Sequence, residues 1–132
     1  VVVDPRETPA IEAWRRIDGQ KTLVVFEAVG VPGMIEQAMR MAPKNARILV
    51  VGVCMQEDHV HPMLGIGKEL NIQFALGYEP LEFASALQSI AEGKVDLTPW
   101  HTGTVDVDGV PQAFRDLANP ETHAKILVVP GS

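Results

Sequence analysis

Apolar residues fall into two rhythms along this chain. Nearly unbroken runs at 23–28, 48–53 and 126–129, and a mixed one at 71–76, alternate with stretches in which apolar positions recur every three or four residues. The runs are rich in Val and Ile and predict strands covered on both faces, as in parallel sheets. The periodic stretches predict helices with one core face. The short apolar run Val1-Val2-Val3 stops at Asp4-Pro5. Thr8 and Pro9 then supply an N-cap and a first-turn proline for a helix carrying Ile11, Trp14 and Ile17, which Asp18-Gly19 closes. After Val29-Gly30-Val31-Pro32-Gly33, the apolar positions Ile35, Ala38, Met39 and Ala42 alternate with Glu36, Gln37 and Arg40 up to Pro43. Residues 62–70 are ambiguous, because Gly65 and Gly67 weaken a helix without excluding it. Pro80 opens a clearer helix, with Phe83, Leu87 and Ile90 as its stripe and Gly93 suited to the left-handed position beyond its end. Asp108 is the expected cap of a last helix carrying Val110, Ala113, Phe114 and Leu117, stopped by Asn119-Pro120. Helices between buried strands predict an open, mostly parallel α/β sheet with flanking helices, because parallel neighbours need crossover connections.

Composition narrows the class. At 132 residues, 46% hydrophobic and 21% charged, the chain is long enough for one sizeable core, which sets aside disorder and disulfide-stapled scaffolds. Seventeen acidic against eleven basic residues give a net charge of −6, so nucleic acid and anionic membranes are repelled and small molecules or proteins are the expected partners. No apolar run approaches the ~20 residues of a membrane span, and no secretory pattern opens the chain. The expected location is cytoplasmic. Cys54 stands alone, without a partner for an intrachain disulfide or a multi-cysteine zinc cage. The start at Val1, without Met, fits processing, a removed tag or excision from a longer protein.

In open α/β sheets ligands gather beyond the carboxyl ends of the strands. Here Val29-Gly30, Gly52-Val53 and Leu76-Gly77 each bring a glycine to such an end, either to turn the chain or to let a flat ligand approach the backbone. The helix after Gly33 is expected to aim its positive end at the same edge. His59-Val60-His61 with Cys54 offers nitrogen and sulfur donors in one loop, yet solvated histidines need no metal to explain them. His101 and His123 have no carboxylate partner in sequence and read as surface or helix residues; no nucleophile elbow surrounds Ser85 or Ser89. Glu27 interrupts an apolar run, as a buried acid of raised pKa or, the favoured reading, as a polar residue at a strand's exposed end. Cys54 reads as inert packing. No G-x-G-x-x-G and no P-loop occurs in the 132 residues, although this alternation of strands and helices normally carries one.

The ordered segments Val25-Phe26-Glu27-Ala28-Val29-Gly30, Ala38-Met39, Ala46-Arg47-Ile48-Leu49-Val50-Val51-Gly52-Val53, Lys68-Glu69-Leu70, Gly77-Tyr78, Ala91-Glu92-Gly93-Lys94-Val95-Asp96, Ala113-Phe114 and His123-Ala124-Lys125-Ile126-Leu127-Val128 resemble the C-terminal part of zinc-type alcohol dehydrogenases of the medium-chain dehydrogenase/reductase superfamily. The resemblance implies a partial Rossmann fold that lacks the first two strands and the glycine-rich loop. Residues 1–78 would form the second half of the NAD(P)-binding domain, with its third to sixth strands at 1–3, 23–28, 48–53 and 71–76. Residues 79–132 would be the return segment that completes the catalytic domain. Val29 and Gly30 would line the nicotinamide ribose, Val51, Gly52 and Val53 the nicotinamide ring, and the backbone of Ala75 and Gly77 would bind the carboxamide. Lys125 would fall near a basic position beside the cofactor.

The implied cofactor is NAD or NADP, with zinc in the absent catalytic domain and none in this chain. The implied reaction is hydride transfer with an alcohol, polyol or carbonyl substrate, the isolated chain being inactive. Self-association is expected through the sheet edges at 71–76 and 23–28, as a homo-oligomer such as a dimer. Two alternatives stay open: a zinc-free quinone or enoyl reductase of the same superfamily, or a standalone flavodoxin-like binding module. An upstream domain with or without metal ligands separates the first, and the mass of the gene product the second.

Overall fold

The computed structural model describes residues 1–19, 21–119 and 121–131, which divide into two compact units, Val1–Gly77 and Tyr78–Ser132. In the first unit, helix α1 (Ala10–Asp18) precedes strand β1 (Val24–Glu27), helix α2 (Met34–Met41), strand β2 (Arg47–Val50), helix α3 (Pro62–Lys68) and strand β3 (Asn71–Phe74). The strands form a parallel sheet of order β1-β2-β3, with Val25 opposite Ile48 and Ile48 opposite Ile72. Each neighbouring pair is joined by one crossover helix.

Two small residues bring α2 onto the sheet. Ala38 and Ala42, one turn apart, are buried with Met39 against Ala46, Ile48 and Val50, and Val25, Ile35 and Ile72 pack around them. Ile48, 1% exposed, is the centre of this core, and such a side chain contributes about 2 kcal/mol by leaving water. The opposite sheet face is open: Phe26 is 65% exposed. Strands covered on both faces were expected. The sheet steps in one direction through β1, β2 and β3, and crossovers of one hand then place both helices on one side.

The end of α2 depends on a distant residue. Lys68 Nζ, at the end of α3, donates to the carbonyls of Met39, Arg40 and Ala42 at 2.9, 2.6 and 2.8 Å. These are last-turn carbonyls of the kind left without helical partners, and a cation there also complements the helix dipole. With its end satisfied in this way, α2 turns straight into the extended Ala42 and Pro43. Of the ambiguous residues 62–70, Pro62–Lys68 resolve as a helix, Gly65 and Gly67 included, and Glu69 closes it in the left-handed conformation.

Several expected boundaries move. Val1-Val2-Val3 forms no strand, and Val1 and Val2 are 98% and 99% exposed; a strand needs a hydrogen-bonded neighbour, and none of the described strands pairs with this segment. The cap of α1 is Pro9, without a side-chain bond, instead of Thr8. In the second unit α4 (Pro80–Ala91) starts with a reciprocal bond pair between Glu79 and Glu82 and is followed by Gly93 at φ 70°. A 3-10 turn, Thr98–Trp100, leads into strand β4 (His101–Val105), which pairs in parallel with β5 (Lys125–Val128) around helix α5 (Val110–Asp116). Gly109 caps α5, and Asp106, not Asp108, takes the Gly109 N–H at 2.8 Å. The stop at Asn119-Pro120 falls partly outside the described residues.

Replacing Lys68 with Met keeps the apolar stem and removes three charge-assisted bonds; a loss of about 1–3 kcal/mol is expected, measured by urea unfolding followed through hydrogen exchange of the β2 amides.

Candidate functional site

Five of the sequence-expected site residues meet where β1 and β2 end. Both strands finish one residue before their chains bend, and Glu27, the last residue of β1, is 5% exposed. Its carboxylate Oε1 accepts the N–H groups of Val29 and Gly30 at 2.7 and 2.9 Å. Its main-chain oxygen accepts those of Val51 and Gly52, both at 2.9 Å. The favoured reading of Glu27 as a polar residue at an exposed end is therefore corrected: two charge-assisted bonds make its burial tolerable.

These four bonds draw two stretches of backbone into contact. A Cβ added to Gly52 would lie 2.4 Å from the Gly30 nitrogen, and one added to Gly30, whose φ is +71°, would lie 2.6 Å from the Val53 nitrogen. Only glycine fits at either position. Around this contact the side chains of Val29, Val51 and Val53 are exposed. One strand over, Ala75 donates to the Val50 carbonyl at 3.0 Å, the last rung between β2 and β3. Beyond it, the N–H groups of Leu76 and Gly77 donate to no partner among the described residues; Gly77 has φ +64° and open space around it. Val29, Gly30, Val51, Gly52, Val53, Ala75 and Gly77 thus share one sheet edge.

Hydrogen-bond polarity differs along that edge. No cis peptide occurs among the described residues, and a planar trans peptide turns its carbonyl opposite to its N–H. With the N–H groups of Val29, Gly30 and Gly52 directed to Glu27, the carbonyls of Ala28, Val29 and Val51 point away from it. None of the three accepts a bond among the described residues. The ends of β1 and β2 therefore offer acceptors, and the end of β3 offers donors.

The start of α2 is not open to an anion. Asp58 Oδ1, from the loop after β2, accepts the N–H of the capping residue Gly33 at 2.8 Å and that of His59 at 2.8 Å. Its negative charge already faces the positive end of the helix, which corrects the expectation that this end serves a ligand. His61 Nδ1 lies 2.9 and 3.0 Å from the two oxygens of Glu36 on α2, and Arg40 bonds the same carboxylate. The hydrogen bond from His61, and then that from Arg40, hold the Glu36 carboxyl below its ordinary range. Cys54 donates weakly to the Gln56 carbonyl at 3.5 Å. Among the described residues no three His, Cys, Asp or Glu side chains gather as a metal site.

In the second unit, His101 begins β4 and contacts the Thr104 hydroxyl at 2.9 Å, and His123 lies 3.3 Å from the Thr102 hydroxyl. Neither lies on a helix, and His101 is exposed, as the surface reading has it; both serve a β-pair, in which Thr102 also bonds the Lys125 backbone. Lys125 opens β5. No helix among the described residues is long and apolar enough to cross a membrane.

Residues 1–92 match the family model for zinc-binding dehydrogenases. A 2-dehydro-3-deoxy-L-galactonate 5-dehydrogenase of Pseudoalteromonas atlantica is 28% identical over 129 residues, covering 96% of this chain and 37% of its own length. The crystal structure of 2R,3R-butanediol dehydrogenase from Bacillus subtilis superposes with a TM-score of 0.80 at 25% identity, over 99% of this chain and 38% of that one. A short chain alcohol dehydrogenase of Escherichia coli CFT073, complexed with NADH, shares the fold at 22% identity and a TM-score of 0.75, over 94% of this chain and 36% of that one. The chain thus spans a little over a third of the length of each of these three proteins.

Two measurements follow from the geometry. Gly33 has φ +87° with nothing near its Cβ position, so Gly33→Ala is expected to cost about 1 kcal/mol, whereas Gly52→Ala, which must push the facing backbones apart, should cost about 3 kcal/mol; urea unfolding of the two variants gives the comparison. The depressed Glu36 carboxyl stabilises the α2–α3 tether above its unfolded value of 4.5. That contribution should fall away as pH drops from there through the lower folded value. Hydrogen exchange in α3 should then rise in the wild type and change less in Glu36→Gln.

Proposed function

The chain belongs to the zinc-binding dehydrogenase family, and from that premise we propose that residues 1–78 are the second half of a nicotinamide-dinucleotide-binding domain. Residues 79–132 are proposed as the return segment of the catalytic domain. The observation that carries the reading is the polarity of the sheet edge: carbonyl acceptors beyond β1 and β2, and N–H donors beyond β3.

A nicotinamide nucleoside has the complementary groups. Its ribose hydroxyls donate, and its carboxamide carries an NH2 donor and a carbonyl acceptor side by side. In the proposal Val29 and Gly30 border the ribose, and Val51, Gly52 and Val53 lie along the ring, the glycines allowing a flat group to approach the backbone. The Ala75–Gly77 backbone takes the carboxamide. A phosphate is not suited to this edge, since Glu27 and Asp58 already take the nearby N–H groups and repel a second anion. When bound, NAD or NADP supplies the ring carbon that exchanges a hydride with an alcohol, polyol or carbonyl carbon. The role of this chain is to hold the ring and exclude water from one side of it. On its own, the 132-residue chain is proposed to have no turnover. A cytoplasmic location belongs to the same reading, as does pairing of copies through β3, an edge strand of the sheet.

Titration of the isotope-labelled chain with nicotinamide mononucleotide tests the assignment. Amide signals of Val29, Gly30, Val51, Gly52, Leu76 and Gly77 should move together with millimolar affinity, while those of Asn45 and Ala46, at the opposite end of β2, stay fixed. Movement confined to other residues, or none at saturating ligand, overturns it.

A further inference from the structure

We infer that Glu27 is the positioning residue of the nicotinamide site, an inference that rests on the cofactor reading above. Nothing about Glu27 requires it to touch the cofactor. Its side-chain oxygen holds Val29 and Gly30 at 2.7 and 2.9 Å, and its main-chain oxygen holds Val51 and Gly52 at 2.9 Å. Four of the five proposed ring and ribose contacts before β3, all but Val53, therefore lie on peptides whose direction this one residue sets. The Oε2 atom contributes by exclusion: a Cβ on Gly52 would come within 2.7 Å of it, so the carboxylate and the two glycines fill one small volume together.

Two features of the arrangement set it apart from a buried acid that merely satisfies the fold. First, the side chain bonds N–H groups beyond the end of β1, which no ladder bond would otherwise reach. Second, directing those N–H groups inward presents the carbonyls of Ala28 and Val29 outward, as acceptors for a donor. Glu27 thus acts on a ligand through the backbone. A shorter acid in its place keeps the charge but sits one methylene back and does not span to both N–H groups. A glutamine keeps the reach and one acceptor oxygen, with weaker neutral bonds.

The test compares three variants of the chain in the nicotinamide mononucleotide titration, with the Val29 and Gly30 amide signals reporting the bonds themselves. Glu27→Gln should retain binding to within about threefold, and Glu27→Asp and Glu27→Ala should weaken it about tenfold or more. The signals of Asn45 and Ala46, at the opposite end of β2, should not move in any variant. A purely structural role predicts loss of protection across the whole three-stranded sheet in step with binding. A charge effect predicts that Asp outperforms Gln. Either result overturns the inference, as does an Asp variant that binds like the wild type although its Val29 and Gly30 signals have moved. If Glu27→Ala does not fold, the Gln and Asp pair decides alone. A wild-type chain that fails to respond to the ligand counts against the cofactor reading itself, whereas a responding wild type with equally responsive variants counts only against Glu27.

Discussion

One buried carboxylate organises the end of the sheet. Glu27 sits where β1 stops, and through its side-chain and main-chain oxygens it accepts four N–H groups from two separate segments. An isolated carboxylate in such a place would cost several kcal/mol, and the local donors offset this by making it a charge-assisted acceptor. The glycine requirements follow. Once the segments after β1 and β2 are both drawn to one residue, their backbones lie too close for a Cβ at Gly30 or Gly52. A chemical choice at position 27 thereby becomes a steric rule twenty-five residues later.

The same bonds give the edge its chemical character. Strand ends and helix starts in α/β sheets commonly present N–H groups and suit anions. In this chain Glu27 and Asp58 take such groups, and what remains outward is mainly carbonyl oxygen, with donors one strand farther on. A family that holds a dinucleotide needs both kinds of surface, one for pyrophosphate and one for an uncharged amide and its sugar. In the proposed reading, the edge formed by β1, β2 and β3 serves the second.

The strands of the main sheet and the helix between β1 and β2 were legible because burial leaves a period in the sequence: Ile48 and Val50 face α2, as do Ala38 and Met39 in return. The glycines at the strand ends were legible as well, since glycine has few other reasons to recur there. What could not be read was polar pairing over distance. Glu27 looks like an interruption until the N–H groups of Val29 and Gly30 are seen to bond it. Asp58 lies 25 residues from Gly33, and no local pattern announces their contact. Strand β4, His-Thr-Gly-Thr-Val, has almost no apolar alternation and is stabilised by its pairing with β5. The strand expected at Val1-Val2-Val3 shows the converse: apolar composition without a partner strand makes no β-structure.

The Lys68 bonds to the end of α2 have a consequence for how the unit assembles. A helix closed by a glycine or a neighbouring side chain is complete as soon as its own residues are in place. Here the closing group arrives from the far end of the next crossover, so β1-α2-β2 cannot reach its final rigidity as an independent module. Growth of the sheet from one strand to the next is coupled backwards, each added β-α step tightening the one before it. Until α3 has formed and docked, the last turn of α2 lacks the cation that closes it.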